Sequence, residues 1–513
     1  MSEKVKALAI GSGFGGSIAA YRLGKAGIET VVLERGRRWN ITEAQDTFAT
    51  YRHPDGRAAW LSEKTVLFTP EPIDVYTGIV EQLIEDGITV WAASGVGGGS
   101  LVYNTVLLQP TEASFSKIFP QSISYEEMDT VYYPRVIEKL KADSIPDDVL
   151  ETDYYLSSQV FLEQADKASL PTMRLNIGSD WEVIRQEIRG EKKPAAIAGE
   201  IWYGINSGCK NSLDQNYLKE AEETGFVDVR PLHVVTGIYE DEAGFRVTYN
   251  KIDESGQVLE ASEILCSYLF MGAGSMGTAK LLTRAKATGT LPQLNEYIGK
   301  EWGNNGDTFA VHSVGKPTNG GQGGPASVAI RHEDNPHGPQ TIIVFPEWDS
   351  PEQTLTFLGM SIPQDTGEFR YDAATDSVKL HWPQETPGAQ KLLETVNYTL
   401  SLLDEAREQE PSPESMQEFS GHYQSPVHGF PEKATTVSAN LKTTANSGVT
   451  AHPLGGAVMG KACDFYGRVH GYSGLYVVDG ALIPRGAAAC NPALTIAAFA
   501  ERCLDKILAE DIC

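Results

Sequence analysis

The first forty residues alternate between apolar runs and glycine-rich turns. "VKALAI" is a short apolar run of the buried-strand type, "GSGFGGSIAAYRLGKAG" joins a glycine turn to a helical pattern, and "ETVVLERG" is a second buried strand. Together they predict a βαβ unit. The theme returns in "EILCSYLFMGAGSMGTAKLLTRA", again an apolar strand, a glycine turn and a helix. Between residues 341 and 383 the pattern changes: "TIIVFPEW", "TLTFLGMSI", "GEFRYD" and "SVKLHW" are short strands separated by turn residues, which predicts an antiparallel sheet in a second domain. "GKPTNGGQGGPAS" (315 to 327) reads as a glycine-rich crossing into that domain, and "EQEPSPES" (408 to 415) as a polar surface loop. Near the C-terminus, "GLYVVDGALIPRGAAACNPALTIAAFAERCLDKIL" predicts a strand ending at Asp479, a loop, and a helix with Asn491 as N-cap and Pro492 in its first position.

Composition narrows the function classes. At 513 residues the chain is long enough for two domains with a large core. Its 68 acidic residues against 42 Lys and Arg give a formal charge of −26, which disfavours nucleic acid or anionic lipid as the main partner but suits solubility, or attraction of a cationic substrate. The six cysteines are scattered, without a CxxC pair or zinc-like spacing, so reduced thiols and no metal are expected. The N-terminus runs straight into the glycine turn, and no apolar stretch is long enough to span a bilayer. A soluble, cytoplasmic protein without stable membrane insertion is the expectation.

The glycines carry the first chemistry. Gly11, Gly13 and Gly16 fit G-x-G-x-x-G between a strand and a helix, the arrangement in which backbone can approach a pyrophosphate. Glu34, at the end of the second strand, is placed to accept hydrogen bonds from a ribose diol and favours a free 2′-hydroxyl. These residues alone fit either FAD or NAD. In "WAASGVGGGSLVYNT", Gly95, Gly97, Gly98 and Gly99 strip side chains from a stretch of backbone, so a flat ligand can lie against it. Gly272, Gly274 and Gly277 repeat the spacing at a second junction facing the same ligand. The helix start at Asn491 and Pro492 presents unpaired amides suited to an anion. In "AHPLGGAVMG", Pro453 pushes His452 toward extended backbone, and the small residues around it leave room for something bulky.

The ordered set "GSGFGGSIAAYRLGKAG", "GVGGGSLVYN", "LFMGAGSMGTAKLL", "AHPLGGAVMG" and "LYVVDGALIP…CNPALTIAAFAER" resembles the glucose-methanol-choline (GMC) oxidoreductases, most of all the bacterial cholesterol oxidases with non-covalent FAD. The likeness spans essentially the whole chain. It implies an α/β fold: a discontinuous Rossmann-like FAD-binding domain (1–42, 88–118, 205–312 and 445–513) and a substrate domain (43–87, 119–204 and 313–444) with an antiparallel β-sheet covered by helices. It further implies FAD contacts from Gly11, Gly13, Phe14, Gly15, Gly16, Glu34, Gly95, Gly98, Gly99, Ser100, Tyr103, Asn104, Val235, Gly272, Asp479, Gly480, Asn491 and Pro492. His452 and Asn491 correspond to the catalytic pair, and Glu347 in "VFPEW" to a carboxylate that serves cholesterol oxidases as an isomerisation base. Where those enzymes read Asn-Gly after "GGGSLV", this chain has Tyr103-Asn104, so the pocket beside the flavin differs. No histidine or cysteine lies in the 90–105 segment, which favours non-covalent attachment. The implied activity is FAD-dependent oxidation of an alcohol, with O2 or another acceptor reoxidising the flavin. The implied substrate is sterol-like or another hydrophobic secondary alcohol, with a polar, cationic amino-sugar alcohol as the alternative suggested by charge. A flavin-binding protein without alcohol chemistry is the reading from another class.

Overall fold

The computed structural model describes residues 2–67, 70–348, 350, 353–408, 444–446 and 448–513. The expected βαβ opening is present: strand Glu3–Ile10, helix Phe14–Lys25 and strand Thr30–Leu33. The second strand is buried along its whole length, as its unbroken apolar run requires of a strand covered on both faces. A seven-stranded sheet forms around this unit. Glu3–Ile10 lies parallel to both Thr30–Leu33 and Val258–Met271, and Leu475–Val477 adds in parallel to Val258–Met271. Val227–Arg230 extends the sheet beyond Thr30–Leu33, and the meander His233–Asp241, Gly244–Ile252 and Val258–Met271 is antiparallel. Strands from both ends and the middle of the chain thus share one sheet, the discontinuous architecture the motif order implies. Both glycine turns leave this sheet at the same end, because Ile10 stands beside Met271 in register.

The second sheet has six strands, including Thr308–Ser313, Val328–His332, Gln340–Phe345 and Thr354–Ser361, all antiparallel to their neighbours. Side-chain alternation assigns its two faces. Ile342, Val344, Leu355 and Phe357 pack with Phe161 of helix Leu156–Lys167 and with Val396 and Leu400 of helix Pro387–Glu408. Ile343, Phe345, Leu358 and Met360 face the opposite core, toward the first sheet's glycine loops. Strand Thr308–Ser313 belongs to this second sheet, so a domain boundary at 312 falls inside a strand. The segments "GEFRYD" and "SVKLHW" form strands, Glu368–Asp372 and Ser377–His381, but as a separate hairpin. The expected polar loop from residue 409 to 415 lies outside the described residues. Among the described residues, no helix is long and apolar enough to cross a membrane.

Candidate active site

A cavity of about 580 Å³ runs from the glycine turns to the cavity-side face of the second sheet. The wall contains Gly11, Gly13, Phe14, Gly15, Glu34, Gly98, Gly99, Tyr103, Asn104, Val235, Gly272, Asp479, Gly480, Asn491 and Pro492, which the sequence assigned to one ligand. Gly16, Gly95 and Ser100 stand behind the wall instead. A Cβ on Gly16 would sit 1.9 Å from the Gly11 carbonyl oxygen, so this glycine serves helix-to-strand packing. Gly95 donates its N–H to Glu34 at 3.3 Å, and Ser100 Oγ donates to the Gly97 carbonyl at 2.7 Å while accepting from Leu213 N–H.

A dinucleotide fits this end on steric grounds. A Cβ on Gly13 would come no closer than 3.9 Å to the protein, and one on Gly99 would meet nothing within 4 Å. Their missing side chains leave open space, and both residues line the cavity. Gly98, by contrast, lies against Gly13, its built Cβ 2.6 Å from the Gly13 Cα, so the two glycine segments meet backbone to backbone. Glu34 holds this junction. One carboxylate oxygen accepts from Ser12 N–H at 3.0 Å and Ser12 Oγ at 2.6 Å, and the other from the N–H groups of Gly36 and Gly95. The carboxylate expected to serve a ribose diol is therefore also the clasp between two loops. Asp479 is buried here too, and burial pushes its carboxyl up to about 6, opposed by bonds from Thr278 Oγ1 and the Ala481 and Gly274 N–H groups.

At the other end, His452 is delivered by a short strand pairing. Val449–Thr450 runs parallel to Thr89–Ala93, with Thr450 beside Val90, and His452 follows two residues later. His452 Nδ1 lies 2.9 Å from Oδ1 of Asp307, a wholly buried carboxylate. Thr450 Oγ1 accepts from the His452 N–H at 2.9 Å and donates to Asp307 Oδ2 at 2.7 Å. A carboxylate is acceptor-only, so this contact assigns the proton to Nδ1 and leaves the Nε2 lone pair for the cavity. Asn305, in the same loop as Asp307, donates to the Cys490 carbonyl at 3.0 Å and accepts from Ala487 N–H at 2.7 Å. The histidine's support is thereby tied to the segment that carries Asn491.

Asn491 does occupy the N-cap position of helix Pro492–Ile507, but its side chain makes no capping bond. Among the described residues its buried Oδ1 has no hydrogen-bond partner, and the residue lines the cavity at 8% exposure. An uncommitted amide in that position is costly unless a ligand uses it. Glu347 is placed differently from the expectation. It follows strand Gln340–Phe345, is buried, and bonds through its N–H to the Gly320 carbonyl at 2.9 Å; the cavity wall includes Phe345 but not Glu347.

Several participants escaped the sequence reading. Asp307 lies 145 residues from His452, in a polar "GNNGDT" stretch without a motif. Lys210 is buried and donates to the carbonyls of Leu101 at 2.8 Å, Tyr103 at 2.9 Å and Ile201 at 3.4 Å, joining the flavin-side segment to the substrate side. Burial pushes its ammonium down to about 7. The side chains of Trp91, Trp202, Phe309 and Phe345 also line the cavity. Strand alternation through "TIIVF" was the one available signal, since it puts Ile343 and Phe345 on one face.

Comparison with known proteins agrees with this geometry. Residues 363–500 match the GMC oxidoreductase family model. The chain is 25% identical to a cholesterol oxidase of Acinetobacter baumannii, the match covering 98% of this chain and 94% of the relative. It is 26% identical to a cholesterol oxidase of Mycobacterium tuberculosis, over 98% and 91%. Among solved structures, pyridoxine 4-oxidase from Mesorbium loti superposes with a TM-score of 0.64 at 13% identity, covering 99% of both chains. A fungal aryl-alcohol oxidase does so with a TM-score of 0.64 at 12% identity, over 99% of this chain and all of the other. Likeness over nearly the full length, on a fold whose glycine-walled groove ends at a supported histidine, makes this chain similar to the GMC oxidoreductases and supports an FAD-dependent alcohol oxidoreductase.

Proposed function

We propose that this protein oxidises an apolar alcohol to the corresponding carbonyl compound, with His452 and Asn491 at the reacting hydroxyl. The observation that carries the reading is the pairing of His452 Nδ1 with buried Asp307, on the same cavity as an Asn491 side chain whose Oδ1 has no partner among the described residues. His452 Nε2 takes the hydroxyl proton as the C–H bond breaks, and Asp307 stabilises the imidazolium that results. A base held in place in this way contributes on the order of 10²- to 10⁴-fold in rate. The Asn491 amide donates to the alcohol oxygen and orients the reacting carbon. The glycine segments would hold FAD, non-covalently, and bound there it would supply the two-electron acceptor, with O2 or another oxidant as the final acceptor.

The wall beyond His452 favours an apolar substrate over the amino-sugar alternative. Leu67, Val106, Ile343, Phe345 and Leu358 line it, whereas the carboxylates on the cavity, Glu34, Glu81 and Asp479, are spoken for. Glu81 pairs with Arg35 at 2.5 Å, and the other two hold the glycine loops and the Thr278 hydroxyl. An isomerase step at Glu347 gains no support, because the cavity wall does not include that residue. The test is anaerobic mixing of holoenzyme with matched apolar and amine-bearing alcohols, followed at the flavin's visible absorption. Bleaching by the apolar series, indifferent to ionic strength, is expected. Bleaching confined to the cationic series, and weakened by salt, would contradict the reading.

A further inference from the structure

Four aromatic side chains of the cavity wall form a closed circuit. Trp91 meets Trp202 with ring centroids 6.3 Å apart and planes at 70°, and Trp202 meets Phe345 at 5.6 Å and 78°. Phe345 meets Phe309 at 6.2 Å and 88°, and Phe309 returns to Trp91 at 5.9 Å and 70°. Every contact is edge-to-face, so each ring fixes the tilt of the next. The four come from separate parts of the chain: strand Thr89–Ala93, the turn around Trp202, strand Thr308–Ser313 and strand Gln340–Phe345. Two members are anchored to the histidine's own support. Trp91 follows Val90, which pairs with Thr450, and Phe309 stands two residues beyond Asp307.

We propose that this circuit is the specificity pocket of the alcohol-oxidising site and that it selects substrates whose body is a flat aromatic ring. The proposal rests on the reading of His452 and Asn491 given above and deepens it. Tilted rings present both electron-rich faces and electron-poor edges, and an aromatic guest can meet both kinds at once, whereas a puckered saturated ring gains only burial. A cation could also lie against the faces, but the described wall around the circuit, with Leu67, Ile343 and Leu358, gives its charge no counterion and makes desolvation costly.

The test compares 2-phenylethanol with 2-cyclohexylethanol, and 2-(2-naphthyl)ethanol with its decahydro analogue, as reductants of the holoenzyme's flavin under anaerobic conditions. The extra methylene insulates the reacting carbon from the ring, so electronic activation of a benzylic C–H bond does not enter. A merely apolar wall would favour the more hydrophobic cyclohexyl compound. The circuit predicts the reverse order, with kcat/KM about fivefold to tenfold higher for the aryl member, as two ring contacts would supply. In Trp202→Leu and Phe345→Leu proteins that retain flavin absorption, that ratio falls toward one. Equal or cyclohexyl-favouring kcat/KM in the unsubstituted enzyme overturns the ring selection while leaving alcohol oxidation standing. So does an aryl preference untouched by both substitutions, or preferential turnover of a hydroxyalkyl trimethylammonium salt. No bleaching by any alcohol overturns both readings.

Discussion

The two ends of the cavity are built by opposite means. At the nucleotide end the wall is mostly backbone: glycines of segments 11–16, 98–99 and 272–274 approach one another and leave space, and one carboxylate, Glu34, holds the junction. At the substrate end the wall is mostly side chain, with aromatic rings and a histidine whose support comes from a residue 145 positions away. A ligand common to many chemistries needs close approach and a fixed spacing of small residues. A substrate needs shape, which distant strands can supply in many combinations.

The strongest way to break this contrast is at Gly13. Its Cβ would be unobstructed by the protein, so Gly13→Val is expected to fold yet lose essentially all FAD, measured as absorbance per protein after purification. Gly16→Ala is its control: a Cβ 1.9 Å from the Gly11 carbonyl strains the apoprotein itself and should lower Tm with or without FAD. If Gly13→Val purified saturated with flavin, the nucleotide end would not be where the glycine turns place it.

An intermediate effect is expected at the other end. Asp307→Asn preserves volume but removes the charge that stabilises a protonated His452, and kcat should fall about tenfold to a hundredfold while KM and FAD content stay close to those of the parent. A rise in KM with kcat intact would mean that Asp307 shapes the pocket rather than the base. The smallest effect concerns Asp479. Its folded value, raised to about 6 from 3.8 by burial, stabilises the protein fully only below pH 3.8, and that contribution is lost as pH rises through 6. Asp479→Asn keeps a neutral group throughout, so its stability relative to the parent should improve by about 2 kcal/mol between pH 4 and 6, read from paired denaturant titrations. A difference that does not vary with pH would mean that bonds from Thr278 and Ala481 cancel the burial cost.

What could be read from the chain follows the same division. The βαβ unit, both glycine turns and the antiparallel strands were all legible, because each is written in local periodicity or in a short run of small residues; His452 and Asn491, singled out by resemblance, both line the cavity. Three assigned contacts, Gly16, Gly95 and Ser100, support the wall from behind, a distinction that depends on which side of a turn faces the ligand. Asn491 was legible as a helix start but not as an unused amide. Asp307, Lys210 and the aromatic circuit were illegible for one reason: each acts through contacts between segments far apart in sequence. Glu347, carried across a loop of different length, is buried next to strand Gln340–Phe345 but is not among the residues of the cavity wall.

The most direct measurement is the single-turnover rate of flavin reduction by an apolar alcohol, under anaerobic conditions, in the parent and in His452→Ala, with FAD content matched by absorbance. The account predicts a loss of about 10²- to 10⁴-fold in that rate with the flavin still bound. Reduction of the His452→Ala flavin at the parental rate would contradict it.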